Sequence, residues 1–254
     1  MKKSMLFLAL TGLLFSVCLT SCEKKKEDTK TKKIATYSSE SYGWTNTYTY
    51  TRNAEGKVTK VYRAETGEGN EYNTTYNFYY DGSTITVKRI EHPDTEEKDF
   101  YTITIGSNGY ASSFGDEWDT WTYTYNNDNY IVDVDRNGDN RSEITVANGN
   151  VTAWTRYSDG VKQTKDQTFW GDKNVGGIYT MWSEGICPSR WLMETGLFGK
   201  PSSDLGKTSK WQHLDVQADY SYVKDADGYP TKETKLYGGE PDEEVSFTWV
   251  EVAK

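Results

Sequence analysis

The sequence predicts a mainly β protein, an antiparallel meander of about 12 strands, strongly curved or barrel-like, with a short helical insertion near residues 175–206. Three observations carry that expectation. First, Leu is absent between residues 20 and 191 while Thr occurs 32 times in 254 residues, a bias that starves long helices and suits pleated strands. Second, aromatic residues reach 15% although hydrophobic residues total only 35%, so the apolar side chains are few and large. Third, aromatics alternate with hydroxyl residues at period two, and Gly- or Asn-containing turns recur about every 11–13 residues.

The first 21 residues form an export signal: Lys2 and Lys3 precede an apolar stretch from Met5 to Val17, and small residues lead to Cys22. Leu19-Thr20-Ser21-Cys22 has the pattern of a bacterial lipobox, which predicts cleavage before Cys22 and acylation of its thiol. Residues 22–33 then read as a solvated tether, because Glu23 to Lys33 contains no apolar side chain. Lys26-Glu27-Asp28 is similar to the Lys-acid-acid tract that sends Bacteroidota lipoproteins to the outer face of the outer membrane. Surface display is therefore expected above plain outer-membrane anchoring. Removal of the leader takes Lys2 and Lys3 and leaves 27 basic against 38 acidic residues, a net charge of −11. Nucleic acid is excluded as a partner on that balance, since phosphate binding draws on Lys and Arg. Cys187 is the one cysteine left for the mature body besides the acylated position, so no intrachain disulfide is expected, and Cys187 reads as a small buried apolar residue.

Residues 34–254 are expected to form a single all-β domain. Trp44, Tyr48 and Tyr50 alternate with Thr45, Thr47, Thr49 and Thr51; Trp121, Tyr123 and Tyr125 alternate with Thr120, Thr122 and Thr124. Such strands have one dry and one wet face, the mark of antiparallel sheets. Asn-Gly and Asp-Gly steps at Asp81-Gly82, Asn137-Gly138 and Asp159-Gly160 supply the positive φ values of tight hairpins. A dozen or so strands is too many for a flat sheet, hence the expected curvature. Between residues 171 and 208 the rhythm breaks: Pro188 to Gly196 reads as a two-turn helix, and Trp191, Leu192, Met193, Leu197 and Phe198 suit a plug or cap for the open end of the sheet.

Tyr48-Thr-Tyr50-Thr-Arg-Asn-Ala-Glu-Gly56 recurs loosely as Tyr79-Tyr80-Asp81-Gly82 and as Tyr220-Ser-Tyr222 followed by Gly228-Tyr-Pro-Thr231. These hairpin units, their order, the step Asp172-Lys173-Asn174 before an apolar stretch and the lipobox resemble a family of Bacteroidota lipoproteins of unknown function with a porin-like all-β fold. Asn174-Val175 stands where many members have Asn-Pro. The resemblance covers residues 34 to 252 and implies the fold, no enzymatic activity and no catalytic residues. It does not imply a pore, because Lys60, Lys88, Asp133 and Asp135 interrupt any continuous lipid-facing band.

Two candidate sites emerge from the residues. Asp133, Asp135, Asn137 and Asp139, with Gly138, resemble the opening of a calcium loop, although Ile144 stands where a bidentate Glu belongs; the alternative is an Asx-rich hairpin turn. Trp154, Trp170 and Trp182 fall near turns or the insertion, and are candidates to stack on a glycan from exposed positions. The expected role is non-catalytic binding or structural work at the cell envelope, anchored to the membrane by lipid on Cys22. Its partner would be a glycan or another envelope protein, the alternative role is a carbohydrate-binding module, and no cofactor is expected beyond a possible calcium ion.

Overall fold

In the computed structural model, which describes residues 31–138, 140–158, 161–180 and 186–252, the chain forms sixteen antiparallel strands closed into one barrel. They are β1 (Thr31–Ser41), β2 (Trp44–Arg52), β3 (Val58–Gly67), β4 (Asn70–Asp81), β5 (Thr84–Glu91), β6 (Lys98–Ile105), β7 (Ala111–Gly115) and β8 (Thr120–Tyr125). There follow β9 (Ile131–Arg136), β10 (Asn140–Ala147), β11 (Asn150–Ser158), β12 (Val161–Lys173), β13 (Asp204–Trp211), β14 (Gln217–Lys224), β15 (Pro230–Tyr237) and β16 (Glu240–Val252). Every strand pairs with its sequence neighbours, and β1 closes on β16 from Thr31↔Val252 to Glu40↔Glu244, so no ladder edge is left unpaired.

The expected dozen strands is thus corrected to sixteen. The strand β1 escaped notice because Ile34 and Tyr37 are its only buried residues, and its turn into β2 is just Tyr42-Gly43, both at positive φ. It takes in Thr31–Lys33, read from the sequence as the end of the tether. The segment after Gly109 holds two strands, because Asp116 Oδ1 accepts from the backbone N–H groups of Trp118 and Asp119 and folds β7 sharply into β8. A second tight turn, Gly238-Gly239 with φ of 59° and 92°, separates β15 from β16.

Alternation along the strands sorts the side chains by polarity. Inward positions carry Tyr48 and Tyr50 on β2, Trp121 and Tyr123 on β8, and Val245 and Phe247 on β16, all buried. Outward positions carry many hydroxyls and charges, with apolar groups such as Tyr79, Trp170 and Val223 exposed among them. Hydroxyl pairs bridge neighbouring strands: Thr36 with Thr248 at 2.6 Å, Ser38 with Thr47 at 2.8 Å, Thr168 with Thr208 at 2.7 Å. This polarity is the reverse of a lipid-embedded barrel, whose apolar band faces outward around a polar lumen.

A sixteen-stranded wall is wide enough to leave an open lumen. Here the connection between β12 and β13 enters it. Asn174 binds its two ends together: Nδ2 donates to the carbonyls of Ile178 (2.8 Å) and Ser202 (2.9 Å), and Oδ1 accepts from the Ile178 N–H. Inside the barrel, one α turn, α1 (Arg190–Leu192), runs directly into a π turn (Met193–Leu197) that Gly196 ends at a φ of 84°. The expected two-turn helix is therefore present as a single, wider coil. Ile178, Cys187, Leu192 and Phe198 on this segment are fully buried, and Phe198 packs edge-on against Phe114 and Tyr123 of the wall. Cys187 packs as a small buried group, and burial pushes its thiol up to about 12.

Candidate binding cavity

The insertion enters at one end of the barrel, where Ser203 N–H donates to the Gly149 carbonyl and Lys200 N–H to that of Asn129. Near the other end, by the turns that follow β1, β11, β13 and β15, it leaves a half-open cavity of about 440 Å³. One wall is a register triplet on three adjacent strands: Trp154 of β11 pairs with Lys165 of β12, which pairs with Trp211 of β13. The two indoles meet edge to face with centroids 5.0 Å apart. The Arg156 guanidinium lies 4.8 Å from the Trp211 ring centroid and donates from Nε to Gln163 at 2.8 Å. Facing them are Tyr37, Tyr48 and Trp191, the last stacked between Tyr48 and Tyr76.

The floor is an ionic triad. Arg190 of α1 grips Glu233 of β15 with two bonds, 2.6 and 3.2 Å, and turns Nε toward Glu194 at 3.3 Å. Glu194 also accepts from the Tyr179 N–H at 3.0 Å. One guanidinium shared by two carboxylates leaves a surplus negative charge away from water, and burial raises Glu194 to about 7 despite Arg190. On the rim Lys235 is held above its ordinary value by Asp242 at 2.7 Å, against the effect of burial. Lys165 behaves oppositely: burial strips water from its ammonium, Lys235 repels it, and the group falls to about 8. Among the described residues no acceptor bonds to it.

The residues singled out in the sequence are dispersed. Trp154, expected near the surface, is 2% exposed, because the inward parity of β11 turns it to the lumen. Trp170 is 52% exposed on the outer wall, where its indole N–H donates to the Tyr220 carbonyl and Lys207 lies over its ring. The two therefore do not share a platform, and Trp182 lies outside the described residues, as do Cys22 and Asp139. Asp133 is bonded by Arg141 at 2.7 Å, and Asp135 accepts from the Gly138 N–H at 2.7 Å. Asn137 accepts from the Thr120 N–H and donates to Asp119, so the loop Asp133 to Gly138 is an Asx-rich hairpin knit to its own chain. Among the described residues no group of three or more His, Cys, Asp or Glu side chains is placed to hold a metal. Sequence reading missed Lys165, Arg156, Trp211 and the Arg190 triad. The usable signal was parity: Gln163, Lys165 and Gln167 alternate with Thr164 and Thr168, so a Lys stands on the face opposite the outward hydroxyls, the inward one.

No protein-family model matches the chain, and no curated protein matches it. Solved structures do. The barrel is similar to a porin-like protein from Bacteroides uniformis, with a TM-score of 0.67 and 17% identity over 85% of this chain and 98% of that one. A porin-like protein from Bacteroides vulgatus is similar at a TM-score of 0.58 and 12% identity, covering 86% of this chain and 99% of the other. The fold is porin-like. At these identities the likeness concerns the fold alone, and it agrees with the all-β porin-like architecture implied by the hairpin units.

Proposed function

We propose that this chain is a lipid-anchored outer-membrane protein, displayed at the cell surface, that neither conducts nor catalyses but holds a small ligand at one barrel mouth. The observation that carries the reading is the combination of an outer wall on which hydroxyls and charges are mixed with scattered apolar groups and a lumen occupied by the chain's own insertion, which leaves a half-open hollow lined by aromatic and ionic side chains. A wall of that polarity favours water over lipid, and the lipobox at Cys22 supplies attachment instead. The barrel begins at Thr31 on the end where the insertion enters, and Lys32 of β1 binds Asp225 and Asp227 in the turn after β14. On this reading the chain leads from the lipid at Cys22 to that end of the barrel, opposite the cavity.

The carbohydrate reading survives in altered form, because Trp154 and Trp211 line the hollow and the outer-wall Trp170 is covered by Lys207. The test has two arms. Cys22→Ala should abolish acylation and move the protein out of the outer-membrane fraction; unchanged fractionation defeats the anchor. The purified protein should leave planar bilayers silent and should gain thermal stability with members of a sugar and small-metabolite panel, the gain being lost in Trp211→Ala. Steady channel currents, or a panel without a single stabilising compound, defeats the binding role.

A further inference from the structure

We propose that the cavity takes a ring-bearing monocarboxylate, its carboxylate between Lys165 and Arg156 and its ring against Trp154 and Trp211. This deepens the binding role above and rests on it.

The argument begins with the charges on the lining. Arg190 is satisfied by Glu233, and Lys235 by Asp242. Among the described residues of the lining three charged groups remain: Lys165, Arg156 and Glu243 of β16. No bonded partner holds Lys165 or Glu243 among the described residues, and Arg156 uses only Nε, on the neutral Gln163. The three sum to one positive charge, and both cations stand on the β11–β12 wall. A single carboxylate placed there balances these three lining groups, the surplus negative charge of the triad lying on Glu194 off the lining, and supplies the acceptor that the half-buried ammonium lacks among the described residues. Among the described residues the terminal nitrogens of Arg156 bond no acceptor and are available for it, while ring contacts of 4.8 and 5.7 Å with Trp211 and Trp154 flank the guanidinium.

The neighbours of those cations define the rest of the ligand. Lys165 stands in register between two tryptophans, so a group bound at its ammonium lies against the half-buried Trp211, whose indole is backed by the buried Trp154. Across the hollow, Asn46, Ser39 and Glu243 offer hydrogen-bonding groups suited to ring hydroxyls. The volume of about 440 Å³ lies within the range of small-molecule sites. Two kinds of molecule share this chemistry, an acidic sugar and an aromatic acid. The lowered Lys165, with Lys235 and Arg156 as its cationic neighbours and Glu243 and Glu233 as the facing carboxylates, adds that binding should weaken as pH rises through about 8.

The experiment is titration calorimetry on the full chain in detergent, with glucuronate and glucose as one acid–neutral pair and benzoate and benzyl alcohol as the other. At least one acid should bind more tightly than its neutral partner by about tenfold or more, and which pair responds separates sugar from aromatic acid. Lys165→Met, which keeps the length of the side chain, should lose about tenfold in acid affinity with an unchanged melting temperature, and Lys165→Arg should recover it. Binding of neither acid, equal binding of acid and neutral partner, or undiminished acid binding by Lys165→Met overturns the proposal. A neutral compound that binds, and fails to bind Trp211→Ala, would keep the binding role while ending the carboxylate assignment. A compound panel without any binder would instead end the role itself.

Discussion

Replacing Glu233 with Gln removes the charge that Arg190 was buried against. Arg190 and Glu233 are 7% and 2% exposed at the side chain, so water cannot replace the lost partner. Breaking a buried pair from one side costs about 3–5 kcal/mol, and because Glu194 still touches Nε the lower figure, about 3 kcal/mol, applies here. Glu194→Gln is the contrasting change. It keeps an oxygen for the Tyr179 N–H and for Arg190, and it removes a carboxylate whose charge is already disfavoured, so above neutral pH it should cost under about 1 kcal/mol. The pair also sets a pH dependence with a definite sign. Burial raises the Glu194 carboxyl from 4.5 to about 7, so the native state holds a proton that the unfolded chain releases. Its contribution is fully present below about 4.5 and lost as pH rises through about 7, to a total of about 3 kcal/mol. Urea unfolding followed by tryptophan fluorescence between about pH 5 and about pH 8 reads both effects, with the wild type minus Glu194→Gln difference isolating the one proton. A cost for Glu233→Gln below about 1 kcal/mol, or an identical pH slope in Glu194→Gln, would refute the shared-guanidinium account.

Three further changes probe the fold. Phe198→Ala should cost about 3–5 kcal/mol in urea unfolding, since the ring is fully buried between Phe114 and Tyr123 at the heart of the plug. Asn137→Val should cost about 2 kcal/mol by the same measurement, because φ is 61° and the side chain both accepts from Thr120 and donates to Asp119. Gly176→Ala should lower stability by about 1–3 kcal/mol, since a Cβ there overlaps the Trp249 indole, which is fixed by its bond to the Pro230 carbonyl.

The fold class was legible because Thr and aromatic residues mark opposite faces of the strands, as on β2 and β8, and the structure keeps that parity. Strand number was not, for a physical reason. Closing pairs need few apolar residues when both neighbours supply hydrogen bonds, so β1 holds its place with Ile34, Tyr37 and a ladder of nine register pairs to β16. The insertion was legible as an apolar plug from Trp191 to Phe198, yet its partners were not, because Arg190 meets Glu233 across 43 residues of sequence. Trp154 was singled out for its closeness to a turn, but inward parity decides its burial, and only the register that sets it beside Lys165 and Trp211 makes a site of it.

The cavity and the plug are two consequences of one choice of strand number. Sixteen strands enclose more space than their own inward side chains fill, so the insertion must supply Ile178, Leu192 and Phe198 from within, and what it does not reach becomes the hollow. Stability and binding then draw on different lining residues. Arg190 and Glu233 hold the floor in place, whereas among the described residues Lys165 has no bonded partner and Arg156 bonds only Gln163 besides its ring contacts. A half-buried cation to which no described residue bonds lowers stability through the loss of water around its ammonium. The proposed anion site accounts for its place between two indoles, and changes at Lys165 and at Glu233 should therefore separate affinity from stability.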